Sequence, residues 1–248
     1  LYKKLPYDSL NDLAPITHLA YAPQVLVISP SLKVQSVKDL IALARAKPGE
    51  LNYGTSSIAG ATQLAAELFN LTAKVKIAMI PYKGAPAMLV DLIGGRIELA
   101  FATMPSGLPQ VRSGKLRALA VTGSKRAAIV PEIPTVAENG LPGYEMVAWQ
   151  GLFAPRATPP AIIQRLNHEL STIVQQPDLK KQLAAEGGEP VGNSLAATAG
   201  MGRVIPRGRF VPVCRADASM LGQGFNLPHY SRGFHGCRGV ADAFDQLV

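Results

Sequence analysis

The chain has 248 residues, 48% hydrophobic and 17% charged, a balance that supports a packed core and excludes an intrinsically disordered protein. No apolar run reaches the roughly 18 residues a membrane helix needs. A net charge of +8 favours anionic ligands, yet Lys and Arg occur singly or in pairs, with no basic stripe and no interleaved aromatics, which argues against a nucleic-acid partner.

Leu1 is not an initiator, and Lys3–Lys4 lead into Leu-Pro-Tyr rather than an apolar leader, so the chain is expected to begin inside a longer protein or after processing. Gln24–Ser29 is a β-branched run ended by Pro30, which predicts a strand. Ser36 is placed to cap a helix over Val37–Ala46, with Val37, Leu40, Ile41 and Ala44 on one face and Pro48–Gly49 as its stop. Leu51–Tyr53 predicts a short strand, Gly54–Gly60 a loop of small residues, and Gly60–Leu71 a helix with Leu64, Leu68 and Leu71 inward. Strands follow at Lys76–Ile80, Ile97–Phe101 and Leu116–Val121, and helices at Ala85–Ile93, Met104–Arg112 and Pro134–Asn139. Glu145–Ala154 reads as extended. Pro159–Gln175 is a strongly patterned helix, with Pro at its start and Ile163, Leu166, Leu170 and Ile173 on one side, and Asp178–Ala185 is a second one. Alternation of this kind predicts an α/β fold with a mainly parallel sheet and helices on both faces. No internal repeat is present.

The texture changes near residue 194. From Met201 to Val248 there are six Arg and no Lys, against twelve Lys and seven Arg in residues 1–200. Both cysteines, Cys214 and Cys237, fall there, with His229 and His235 in no zinc-like spacing. Two expectations stand for this stretch: a disordered tail, or an out-of-frame translation.

Candidate chemistry gathers at strand-to-helix junctions. Gly54, Thr55, Ser56, Ser57 and Gly60 lie between a strand and a helix, where backbone N–H groups and hydroxyls suit a carboxylate. The same residues also make an ordinary small-residue turn with an N-cap. No Lys-Ser/Thr follows a GxxxxG frame, so a phosphate loop is excluded. Tyr82, Lys83 and Gly84 occupy the equivalent place after the next strand, where an exposed surface turn is the competing reading. Thr103 and Ser106 follow the strand after that. Enzymatic constellations are missing: the four His show no metal-binding spacing, and no G-x-S-x-G elbow surrounds any Ser. No catalytic residue, cofactor or metal is assigned.

Blocks of the chain resemble the Bug family, the extracytoplasmic receptors of tripartite tricarboxylate transporters. They include LYKKLPYD (Leu1–Asp8), LNYGTSS (Leu51–Ser57), QLAAELF (Gln63–Phe69), IPYKGAPA (Ile80–Ala87) and DLIGGRIEL (Asp91–Leu99). GKLRALAVT (Gly114–Thr122), IPTVAENGLPGYE (Ile133–Glu145), WQGLFAP (Trp149–Pro155) and EGGEPVGNS (Glu186–Ser194) continue the match in order. The resemblance implies a type II periplasmic-binding fold of two α/β lobes with an incomplete first lobe. It assigns residues 1–30 to that first lobe, 31–125 to the second, 126–194 to the crossover and return, and 195–248 to an atypical tail.

It also implies a non-catalytic, periplasmic, monomeric receptor. Such a receptor captures a small carboxylate and hands it to membrane transporter subunits or a sensor protein. The contacts carried over are Gly54–Gly60, Tyr82–Gly84 and Thr103. Ala102 stands where an acidic residue is often seen, which favours a plain carboxylic acid over an amino acid. The family's preceding segment and its closing Ala/Lys/Glu-rich helix are not matched, so the chain is expected to be a truncated receptor. An enzyme or a regulator's ligand-sensing domain on the same two-lobed fold are the alternatives. The first would need an acid/base pair, and the second a DNA-binding helix-turn-helix.

Overall fold

In the computed structural model, residues 6–8 and 11–192 are described, and they alternate strand and helix for most of their length. In chain order the elements are β1 (Leu13–Ile28), α1 (Val37–Ala46), β2 (Asn52–Thr55), α2 (Ala61–Ala73), β3 (Ala78–Pro81), α3 (Ala85–Ile93) and β4 (Leu99–Thr103). Then come α4 (Met104–Arg112), β5 (Arg117–Val121), β6 (Val147–Pro155), α5 (Pro160–Val174), α6 (Pro177–Ala185) and β7 (Glu189–Pro190). The tail expected to be atypical, with Cys214, His229, His235 and Cys237, lies outside the described residues.

The chain divides into two compact units. Among the described residues, one comprises 6–8, 11–21, 149–185 and 189–192, the other 22–148 and 186–188. The boundary at Tyr21 falls inside β1, a strand of 16 residues that begins well before the predicted Gln24. Two prolines, Pro15 and Pro23, hide its length in the sequence, because proline lacks the N–H that a ladder position needs.

The larger unit is built on the sheet order β3-β2-β4-β1-β5. Strands β3, β2 and β4 are parallel, while β1 runs antiparallel to both β4 and β5. The mainly parallel sheet read from the sequence is therefore mixed, with β1 antiparallel to both of these neighbours. Strand–helix alternation says that each strand is followed by a helix. It does not say which strand becomes the neighbour, and here β4 inserts between β1 and β2.

Side chains alternate across β1. Leu26 and Ile28 join Tyr53, Phe69, Phe101 and Tyr144 under α1 and α2, whereas Val25 and Val27 join Met88, Leu92, Ile97 and Met104 under α3 and α4. Ser36 caps α1 as predicted, its hydroxyl accepting from Asp39 N–H at 3.1 Å, and Val37, Leu40, Ile41 and Ala44 are buried.

Helix α2 corrects the sequence reading. Its buried face is Thr62, Ala65, Ala66, Phe69 and Ala73, and Leu71 is 77% exposed. Alanines let the helix lie close to the sheet, so the phase follows the small residues and Phe69; Leu68 still packs half-buried against the same core, whereas Leu71 does not. The predicted helix at Pro134–Asn139 is instead a set of turns. There Thr135 and Glu138 bond reciprocally, Glu138 N–H to the Thr135 hydroxyl and Thr135 N–H to the Glu138 carboxylate.

The other unit holds the first half of β1 with β6 and β7 as partners. Helix α5 buries Ile163 and Leu170 against Ile16 and Ala154, and its Asn167 amide donates to the Ile16 carbonyl at 2.8 Å. His168 is on the exposed side of α5.

Candidate functional site

Parallel pairing decides where the loops go. Thr55 is level with Pro81, and Gly54 with Ala100, so β2, β3 and β4 all end at one edge of the sheet. The loops that follow them therefore emerge at that same edge, bringing Gly54–Gly60, Tyr82–Gly84 and Thr103 together. From β2 the chain turns to α2 on one face, while from the adjacent β4 it turns to α4 on the other. Neighbouring loops thus diverge to opposite faces at the strand ends, the position at which open α/β sheets take their ligands.

Three helices begin at this edge, and none of them has a side-chain cap. The N-cap residues are Gly60 for α2, Gly84 for α3 and Thr103 for α4. Each first turn therefore presents N–H groups without intrahelical acceptors, at the positive end of the helix dipole. Pro86 and Pro105 in the first turns of α3 and α4 remove one such donor each. In contrast, α1 is reached from the opposite edge, where β1 ends, and Ser36 caps it.

The individual residues divide by what their polar atoms already do. Gly54 and Thr55 belong to β2 itself. A Cβ on Gly54 would lie 2.5 Å from Ile97 Cδ1 and 2.7 Å from Met88 Cγ, so this glycine serves packing beneath the site. Thr55 is fully buried. Its hydroxyl donates to the Ser57 carbonyl at 3.0 Å and lies 3.3 Å from the Thr62 hydroxyl, which shapes the loop from inside. Gly60 leaves room for the Ser57 side chain, which occupies the space a Cβ there would need. Ser56 is half-buried and Ser57 exposed, and among the described residues neither hydroxyl has a hydrogen-bond partner.

The second loop is tied to the first by backbone bonds, Tyr82 N–H to Thr55 O at 2.9 Å and Gly84 N–H to Ser56 O at 3.1 Å. Tyr82 donates its hydroxyl to Asp91 at 2.9 Å, and Arg96 holds the other carboxylate oxygen at 2.7 Å. Burial and the Asp91 bond raise the Tyr82 pKa, so the phenol stays protonated. Lys83 is exposed and forms no ion pair among the described residues. Thr103 is exposed and lies 2.9 Å from the Ser106 hydroxyl, which in turn donates to the Thr103 carbonyl at 3.0 Å.

One polar residue at this edge was not singled out from the sequence. Gln24 pairs in register with Thr103 and is buried, although it opens a run that reads as plain strand. Its signal was a polar side chain at the head of an otherwise apolar segment. No group of three or more His, Cys, Asp or Glu among the described residues is arranged to hold a metal ion.

The mixed α/β architecture is that of the periplasmic-binding class, a fold shared with a solved periplasmic transporter at 32% identity and a TM-score of 0.72, over 82% of this chain and 67% of that one. The profile of the tripartite tricarboxylate transporter family receptor matches residues 1–201, and the chain belongs to that family. It is 39% identical over 191 residues to Protein BugT of Bordetella pertussis, covering 77% of this chain and 59% of BugT. It thus spans less than two thirds of that relative's length. An R. palustris protein solved with adipate shares 37% identity at a TM-score of 0.74, over 82% of this chain and 68% of that one. MatC from Rhodopseudomonas palustris, solved with bound malate, shares 27% identity at a TM-score of 0.71, over 82% of this chain and 70% of its own.

Proposed function

We propose that this chain is part of a periplasmic solute receptor that captures a small carboxylate for a tripartite transporter, at the edge where β2, β3 and β4 end. The observation that carries the reading is the set of three uncapped helix starts, Gly60, Gly84 and Thr103, on one edge of a sheet whose remaining early helix is capped. Orphan N–H groups and dipole ends attract an anion without needing a particular side chain. Ser56 and Ser57 supply hydroxyl donors, and Lys83 adds positive charge nearby. Thr55, Gly54 and Gly60 shape the loop, while the Tyr82–Asp91 bond and Gly84 set the second loop against it.

Family membership and the relatives solved with adipate and malate favour a carboxylate over other anions. The receiving partner is a membrane subunit of the transporter or a sensor protein. The receptor acts as a monomer and without turnover. The test is titration calorimetry of the chain with a panel of mono- and dicarboxylates, with sulfate and phosphate as anion controls. Saturable binding of a carboxylate, weakened by Ser56→Ala, is the expected result. Equal response to sulfate and every carboxylate would reduce the site to a general anion patch and defeat the reading.

A further inference from the structure

The strongest unexplained feature of the larger unit is the side chain of Gln24. Its backbone is held by the residue just past β5, since Gln24 N–H donates to the Thr122 hydroxyl at 2.8 Å and its carbonyl accepts from Thr122 N–H at 2.9 Å. In register on the other side stands Thr103, the last residue of β4. The side chain is 99% buried by its 1% exposure, yet neither Nε2 nor Oε1 has a hydrogen-bond partner among the described residues. Buried amides are paired almost without exception, because desolvating a donor and an acceptor without return is unfavourable.

Strand alternation says which way this amide faces. Val25 and Val27 project towards α3 and α4, and Leu26 and Ile28 towards α1 and α2, so Gln24 shares the α2 side. The Thr55 hydroxyl is on the same side, where it meets Thr62 of α2. The amide therefore sits at the sheet edge that bears the uncapped start of α2, on the face that helix covers.

We infer that Gln24 is a specificity residue of this site, which reads a hydroxyl next to a carboxylate on the captured solute. The inference rests on the carboxylate reading above. A primary amide has a donor and an acceptor side by side. A carboxylate oxygen satisfies Nε2 alone and leaves Oε1 unpaired, whereas a hydroxy acid satisfies both, its carboxylate accepting from Nε2 and its hydroxyl donating to Oε1. The solute class is thus a small hydroxy acid, in preference to the plain carboxylic acid that Ala102 suggests.

The test uses the full chain and two probes that differ by one hydroxyl, malate and succinate. Each is titrated by calorimetry into the wild type, Gln24→Met and Gln24→Asn, and each protein is also unfolded thermally without ligand. The wild type is expected to bind malate at least tenfold more tightly than succinate. In Gln24→Met that ratio should collapse towards one, with an unfolding temperature no lower than the wild type, because the lost amide had no protein partner. A wild-type ratio near one overturns the inference, as does an unchanged ratio in Gln24→Met, whatever its unfolding temperature. Where Gln24→Met does not fold, Gln24→Asn decides. It keeps the amide but withdraws it by one methylene, and should weaken malate tenfold or more, while malate binding equal to wild type overturns the inference. If the wild type binds neither probe nor any other carboxylate, the proposed function itself fails and this inference with it, an outcome distinct from the others.

Discussion

The backbone N–H of Gly84 donates to the carbonyl of Ser56 at 3.1 Å, across the gap between the loop after β3 and the loop after β2. Gly84 makes this bond from φ +107° and ψ 167°, a conformation that essentially only glycine adopts. A Cβ there would meet nothing closer than 3.7 Å, so the cost of a side chain is conformational rather than steric. Gly84→Ala should destabilise the protein by about 1–3 kcal/mol and shift the second loop away from the first. Gly114, at φ +71° with nothing within 4 Å of its Cβ position, provides the comparison. Gly114→Ala is expected to cost less in denaturant unfolding, and to leave carboxylate affinity unchanged while Gly84→Ala lowers it. Equal effects from the two substitutions would remove any special role for the Gly84–Ser56 tie.

Thr55 and Ser56 are neighbours with opposite expectations. The Thr55 hydroxyl is buried and spent on the Ser57 carbonyl, whereas Ser56 has no side-chain partner among the described residues. Thr55→Val should therefore lose about 1–3 kcal/mol of stability, because the Thr62 hydroxyl loses its neighbour and the Ser57 carbonyl keeps only the longer bond from Gly60 N–H at 3.4 Å. Ser56→Ala should leave stability within about 0.5 kcal/mol and weaken carboxylate binding about tenfold, the worth of one charge-assisted bond. Chemical denaturation and calorimetry on both variants separate the two roles. Loss of affinity in Thr55→Val alone, with Ser56→Ala silent, would reverse the assignment.

Much of this layout was legible in the chain. Ser36 and the Val37–Leu40–Ile41–Ala44 face were readable because cap and period agree locally, and α3 and α4 were found at their observed bounds because Gly, Pro and Thr mark their starts. Loops at the ends of successive parallel strands were enough to group Ser56, Lys83 and Thr103. Hidden were the features decided by distant partners. The direction of β1 depends on β4 inserting beside it. The placing of Gln24 depends on Thr103 of β4 and on Thr122, far away in the chain, and a polar residue opening a strand gives no sign of which face it takes. Whether Thr55 turns inward or outward was likewise set by Thr62, seven residues away.

Helix α2 gives a stability test of that lesson. Leucine at 71 looks like core in the sequence but is 77% exposed, while Phe69 is 1% exposed and lies against Phe101 and Tyr144 with ring centroids 5.9 and 6.2 Å away. Phe69→Ala is expected to cost about 3–5 kcal/mol, from lost transfer energy and the cavity left between those rings. Leu71→Ala should fall within about 0.5 kcal/mol of wild type. Urea unfolding of the two variants reads the phase of the helix directly, and a large loss from Leu71→Ala would mean that the helix is rotated from the one described.

His18 supplies a pH dependence whose sign can be worked out. The ring is 1% exposed, its Nε2 is 3.1 Å from the Ala20 carbonyl, and the Tyr21 ring meets it edge-on at 4.2 Å. Burial lowers its pKa from the ordinary histidine value, outweighing the Ala20 bond, which favours the charged form. A base with a depressed folded pKa binds its proton less readily than in the unfolded chain. The unfolded state therefore gains protons first as the medium is acidified, and stability declines once pH falls below about 6.5, the unfolded value. That contribution is fully present above this pH and is progressively lost down to the folded pKa. Replacing the ring by an uncharged one of similar shape, as in His18→Phe, should flatten the stability profile in this window, at the cost of the Ala20 bond at neutral pH. Unfolding free energies measured every half unit from pH 5 to 8 decide the matter. A wild-type slope between pH 5 and 6.5 that persists unchanged in His18→Phe would remove His18 as its source; Asp39, Asp91 and Glu138, whose pKa values are depressed from ordinary carboxylate values, lose their bonds only in more acid solution.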